Sequence, residues 1–139
     1  MSTSKTAKPV RVFTGKRKTA TARAYIREGK GFVTVNGVPL EILQPEVARL
    51  KIIETLLLGA NAMKNFDIEV RVSGGGFMGQ AEAASIAIAR ALVGSTKSKR
   101  IEKIYKEFDR TLLAGDPRRT EPKKFGGPGP RRRKQKSYR

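Results

Sequence analysis

A mixed α+β domain followed by a basic extended arm is the fold class that the 139 residues predict, and three observations predict it. Apolar residues alternate with polar ones along 19–27 and 66–72, as on half-buried strands. They recur at helical spacing in three stretches, near 45–58, 80–93 and 98–113. After Gly115 apolar periodicity stops and charge takes over, with ten Lys or Arg against two acids from Asp116 to Arg139. Strands with interspersed helices and few long parallel crossovers predict a two-layer sandwich, with helices on one face of a mostly antiparallel sheet.

The elements follow in order. Residues 1–8 read as a flexible N-terminus, 9–115 as a globular α+β domain and 116–139 as the arm. Gly15-Lys16-Arg17-Lys18 reads as a basic turn leading into a strand, where Ala20, Ala22, Ala24 and Ile26 face a core and Arg23, Tyr25 and Arg27 face out. Glu28-Gly29-Lys30-Gly31 closes a hairpin onto a strand from Phe32 to Val35, and Asn36-Gly37 is a tight-turn dipeptide before Val38-Pro39-Leu40. Pro45 and Glu46 start a helix that places Val47, Leu50, Ile53 and Leu57 on one face and ends near Gly59. Phe66, Ile68, Val70 and Val72 form the next strand. Gly74-Gly75-Gly76 then precedes a small-residue helix over 80–93, and one last helix over 98–113 carries Ile101, Ile104, Tyr105, Phe108 and Leu112.

Charge is concentrated at the two ends. Residues 1–30 carry nine basic residues and one acid, residues 31–115 eleven and nine, and the arm ten and two, which together make the net +18. Four prolines, three glycines and mutual repulsion keep the arm from folding alone, so it needs a polyanion. Nucleic acid is the first candidate, because neutralised phosphates release counterions. Twenty-four residues at about 3.3 Å each reach roughly 80 Å.

The composition disfavours an enzyme. Without cysteine or histidine the chain lacks disulfides, thiolate metal sites and the commonest general base, and no cofactor or metal is expected. The N-terminus has no apolar run of a signal peptide, and no stretch approaches the roughly 18 apolar residues of a membrane span, so an intracellular soluble chain is expected. Asp67 and Glu69 share the polar face of a strand, where carboxylates in a basic protein balance nearby cations rather than catalyse. The triple glycine could cradle a phosphate, serve as a structural turn or touch a nucleic-acid backbone, but it lacks the Lys-Ser/Thr of a nucleotide-binding loop.

The candidate RNA-binding residues are Lys16, Arg17, Lys18, Arg23, Arg118, Arg119, Lys123, Lys124, Arg131, Arg132, Arg133, Lys134 and Lys136. Arg23 and Arg27 also read as plain solvated charge, and the dense clusters also fit nuclear targeting. Tyr138, between Lys136 and Arg139, either stacks on an unpaired base or does nothing.

GKRKTATARA at 15–24, VNGVPLE at 35–41, IEVRVSGGGFMGQA at 68–81, FDRTLLAGDPRR at 108–119 and the closing KKFGGPGPRRRKQKSYR resemble the universal ninth protein of the small ribosomal subunit, numbered sixteenth in eukaryotes. The resemblance runs in unbroken order over positions 9–139. Ser137-Tyr138-Arg139 and the Phe125–Gly129 stretch place it on the archaeal or eukaryotic side, since bacterial members end Ser-Lys-Arg. It implies a fold like the second domain of the fifth small-subunit protein, with a left-handed βαβ crossover. It also implies a cytoplasmic location in the ribosome, on the 3′ major domain of the ribosomal RNA in the head of the small subunit, among neighbouring ribosomal proteins. Residues 16–18 and 118–136 become contacts to ribosomal RNA, and Ser137, Tyr138 and Arg139 the tip nearest the peptidyl-site tRNA. A metabolite-kinase-like phosphate binder of the same fold class and a free-standing single-stranded RNA or chromatin binder are the rival readings.

Overall fold

The computed structural model describes residues 9–137. The N-terminal segment 1–8 and the tip residues Tyr138 and Arg139 lie outside the described residues. Five strands form one sheet: β1 Arg11–Arg17, β2 Ala20–Glu28, β3 Val33–Val35, β4 Val38–Pro39 and β5 Phe66–Ser73. Their order across the sheet is β1-β2-β5-β3-β4, antiparallel everywhere except between β3 and β5. The helices are α1 Glu46–Leu58, α2 Ala60–Met63, α3 Phe77–Thr96, α4 Lys99–Phe108 and α5 Thr111–Ala114. Helices α1 and α2 bridge the parallel pair β3 and β5, forming the βαβ unit.

Alternation on β2 is the origin of the core. Ala20, Ala22, Ala24 and Ile26 are all buried, and β5 adds Ile68, Val70 and Val72 to the same face. Because these β2 side chains are small, α3 lies close against the sheet with Ala83, Ala84, Ala87 and Ile88 fully buried. Gly15 completes this fit, since a Cβ there would collide with the Ala83 carbonyl oxygen and sit 2.6 Å from the Ala87 nitrogen. Asn36 and Gly37 both take positive φ, 51° and 80°, as a two-residue type I′ hairpin requires between Val35 and Val38.

The structure departs from the sequence reading at four places. Residues 28–31 close no hairpin, because β5 inserts between β2 and β3, antiparallel to the one and parallel to the other. Gly15, Lys16 and Arg17 belong to strand β1 rather than to a turn. The reversal is at Lys18 and Thr19, with Lys18 at φ 53°. On α1 the buried residues are Ala48, Ile52 and Thr55, whereas Val47, Leu50 and Leu57 point outward with 53–70% exposure. Charged and apolar residues are both spread around this helix, so periodicity cannot choose its inner face, and small Ala48 suits close packing on α3. The last helix is broken in two: Asp109 is extended, and its Oδ1 accepts the Thr111 N–H at 2.9 Å and the Thr111 hydroxyl at 2.7 Å, starting α5 afresh. Tyr105 on α4 is fully buried and its hydroxyl donates to the Thr55 carbonyl at 2.9 Å, tying α4 to α1.

Candidate nucleic-acid interface

The arm leaves the domain beside the edge strand. Asp116 forms a parallel bridge with Arg17 of β1, continuing the sheet by one residue. Alternation on β1 separates the basic cluster: Lys16 pairs with outward Thr21, while Arg17 pairs with buried Ala20 and turns to the helix side. There the Arg17 Nε donates to Glu82 at 2.7 Å and lies 3.6 Å from Asp116, and an Nη donates to the Arg118 carbonyl at 3.0 Å. Arg118 grips Asp116 through side chain and backbone N–H, at 2.7 and 3.0 Å. These bonds from Arg118, helped by the charge of Arg17, hold the Asp116 carboxyl far below the usual carboxylate range.

Lys16, Lys18, Arg90, Arg118 and Arg119 line one cleft of about 370 Å³. Its one carboxylate, Asp116, is already engaged with Arg118 and Arg17. Arg90 rises from the apolar helix α3, donates to the Leu113 and Thr14 carbonyls at 2.8 Å each, and has no carboxylate partner among the described residues. Five cations around one satisfied acid give the cleft a positive potential that attracts anions. Sequence reading names Lys16, Lys18, Arg118 and Arg119 separately; what brings them together is the pairing of 116 with 17. It misses Arg90, whose signal is a lone cation in an otherwise apolar helical run.

Beyond Arg119 the described chain has no helix or strand, and Lys123, Lys124, Arg132, Lys134, Lys136 and Ser137 are exposed. The arm does loop back on itself locally. Arg131 forms a two-pronged ion pair with Glu121 at 2.7 and 3.0 Å, Arg133 donates to the Phe125 carbonyl at 3.2 Å, and the Lys134 N–H donates to the Gly126 carbonyl at 2.9 Å. Arg23 stands apart, exposed on the open face of the sheet.

Two other sequence candidates have structural employment. Asp67 Oδ1 accepts the backbone N–H groups of Lys30, Gly31 and Phe32 at 2.9, 3.1 and 3.0 Å, closing the β2–β3 loop, and these bonds, Phe32 foremost, lower its pKa. Gly74 and Gly75 take φ of 77° and 65°, and a Cβ on Gly74 would lie 2.7 Å from the Thr19 carbonyl oxygen, so the loop is shaped by packing on the β1–β2 turn. Among the described residues no group of three His, Cys, Asp or Glu could hold a metal, and no helix is long and apolar enough to cross a membrane.

The sequence model of the ribosomal protein S9/S16 family matches residues 15–139. The chain belongs to the ribosomal protein S9/S16 family. Relatives include the small ribosomal subunit protein uS9 of Desulfurococcus amylolyticus, 55% identical over 128 residues that cover 92% of this chain and 91% of the relative. The uS9 proteins of Sulfurisphaera tokodaii and Methanothrix thermoacetophila are 55% and 49% identical over 125 residues each, covering 89% and 90% of this chain and 91% and 95% of theirs. All three sources are archaeal, in line with the Ser-Tyr-Arg ending. The family consists of ribosomal structural proteins rather than enzymes, and RNA binding is general in it.

Proposed function

We propose that this chain is a structural constituent of the small-subunit head that anchors to ribosomal RNA through the cleft at the root of its arm and carries that arm to the peptidyl-site tRNA. The cleft is the observation that carries the reading: Lys16, Lys18, Arg90, Arg118 and Arg119 converge where the arm departs, so one stretch of RNA can hold the domain and receive the arm. From Thr120 to Arg139 twenty residues remain, which span roughly 65 Å when drawn straight at about 3.3 Å each. Prolines narrow the conformations of the free arm and reduce its ordering cost on RNA. The outward Val47, Leu50 and Leu57 of α1 suit a protein neighbour in the same assembly.

Two measurements test this. Filter binding of a ribosomal RNA fragment across salt concentrations should show the log-log slope falling by about 0.7–0.9 for each of Lys16→Ala, Lys18→Ala and Arg119→Ala. Unchanged slopes would mean that the cleft stays in solvent. For the tip, deletion of Tyr138 and Arg139 should leave incorporation into subunits intact and weaken peptidyl-site tRNA binding by about 1–3 kcal/mol if the ring stacks on a base. Equal tRNA affinity with and without the tip would remove tRNA contact from the proposal.

A further inference from the structure

The face of the sheet away from the helices carries a second group of cationic, aromatic and hydroxyl side chains. Strand pairing places Arg23 directly opposite Arg71, Tyr25 opposite Glu69 and Thr21 opposite Ser73. All six alternate with the buried residues of β2 and β5, so they share the outer face. Thr21, Arg23, Tyr25, Arg71 and Ser73 line a shallow cleft of about 270 Å³. The Arg71 guanidinium lies over the Tyr25 ring, 5.0 Å from its centre, and its Nε donates to the Glu69 carboxylate at 3.1 Å. Arg23 is exposed and has no carboxylate partner among the described residues.

This arrangement is costly for a bare sheet. Like charges directly opposite one another on paired strands destabilise the ladder, and Glu69 offsets only one of the two. An anion between Arg23 and Arg71 would remove the repulsion. Beside that anion position stands a cation–π pair, Arg71 over Tyr25, two groups of the kind on which bases stack. The hydroxyls of Thr21 and Ser73 add donors and acceptors for a sugar or base edge.

We propose that this face binds an unpaired nucleotide of single-stranded RNA, with its base stacked on the Tyr25 and Arg71 pair and its phosphate against Arg23. The site is separate from the arm-root cleft but rests on the reading of the chain as an RNA binder. Anion, stacking plane and hydroxyl contacts together favour a nucleotide over an acidic protein surface, which would use the two arginines and leave the ring idle.

Hexauridylate carrying one 4-thiouridine tests the proposal with the full chain. Binding and photo-crosslinking are measured for wild type, Tyr25→Ala, Tyr25→Phe, Arg23→Ala and Arg71→Ala, with polyglutamate as competitor and thermal unfolding as the check on folding. Crosslinks should fall within residues 21–25 or 69–73. Tyr25→Ala should weaken binding at least about fivefold while Tyr25→Phe stays within about twofold. Arg23→Ala, at an exposed position that leaves the core intact, should weaken binding and flatten its salt dependence. Wild-type affinity in Tyr25→Ala overturns the proposal, as does polyglutamate competing as well as polyuridylate. Crosslinks found only on the arm and cleft would overturn this site and leave the proposed function standing, whereas no RNA binding at all would sink both.

Discussion

Arg17→Ala separates two kinds of cation in one three-residue cluster. The Arg17 side chain is only 12% exposed and makes two charge-assisted bonds, to Glu82 and to the Arg118 carbonyl, with Asp116 nearby. Each such bond contributes about 1.5–3 kcal/mol. The loss is smaller than their sum, because Glu82 is 35% exposed and can rehydrate and Asp116 keeps its grip on Arg118. About 2–3 kcal/mol is therefore expected, which at roughly 4–5 °C per kcal/mol for about 110 folded residues lowers Tm by about 8–15 °C. Arg17→Lys should recover part of this, since one ammonium cannot reproduce the guanidinium fork that serves Glu82 and the Arg118 carbonyl together. Circular dichroism melts of Arg17→Ala beside Lys16→Ala and Lys18→Ala measure the difference, and RNA salt slopes taken well below Tm complete it. Arg17→Ala should lose stability and keep its slope, while its neighbours keep stability and lose slope. Equal Tm for all three variants would refute the assignment of Arg17 to holding the arm root.

Asp67→Asn should destabilise the domain by about 1–2 kcal/mol at neutral pH, through weaker acceptance of three backbone N–H groups. The folded-state pKa of Asp67 lies below its ordinary 3.8, so its contribution is fully present above that value and is lost as pH falls through the lowered one. Urea melts from pH 5 down to pH 2 should show a shallower acid loss in the variant than in wild type. Tyr105→Phe removes the buried bond to the Thr55 carbonyl and should cost about 1–1.5 kcal/mol in the same assay, an effect a surface tyrosine would not show. Truncation after Arg119 should leave Tm near that of the full chain, whereas truncation after Ala114, which removes Asp116 and Arg118 from Arg17, should lower it measurably by calorimetry.

The parts legible in the sequence are those whose signal is local. Alternation along 20–26 and 66–72 specified β2 and β5 together with their buried faces, because side chains on a strand alternate regardless of what packs above them. Asn36-Gly37 announced its turn because both residues tolerate positive φ. Strand β1 was hidden because glycine and three successive cations look like loop composition. Only the helix above explains Gly15, and that helix is some seventy residues away. The inner face of α1 was hidden because its apolar residues occur on every side, and nothing distinguishes Val47 and Leu50 from Ala48 and Ile52 until α3 is in place. The arm root joins residues 17, 82, 90 and 116–119, so the separate basic clusters were readable and their convergence was not.

Lysine acetylation footprinting of the protein, free and in assembled small subunits, tests most directly whether the arm-root cleft and arm lie on RNA. Lys16, Lys18, Lys123, Lys124, Lys134 and Lys136 should react in the free protein and be protected in the subunit. Lys103 and Lys106 serve as internal controls, since they project from α4 with side chains 77% and 59% exposed and pair with Glu107 and Glu102. Their reactivity should persist on assembly. Protection of Lys103 and Lys106 with continued reactivity at Lys16 and Lys18 would place the α4 surface rather than the cleft on RNA and contradict the account.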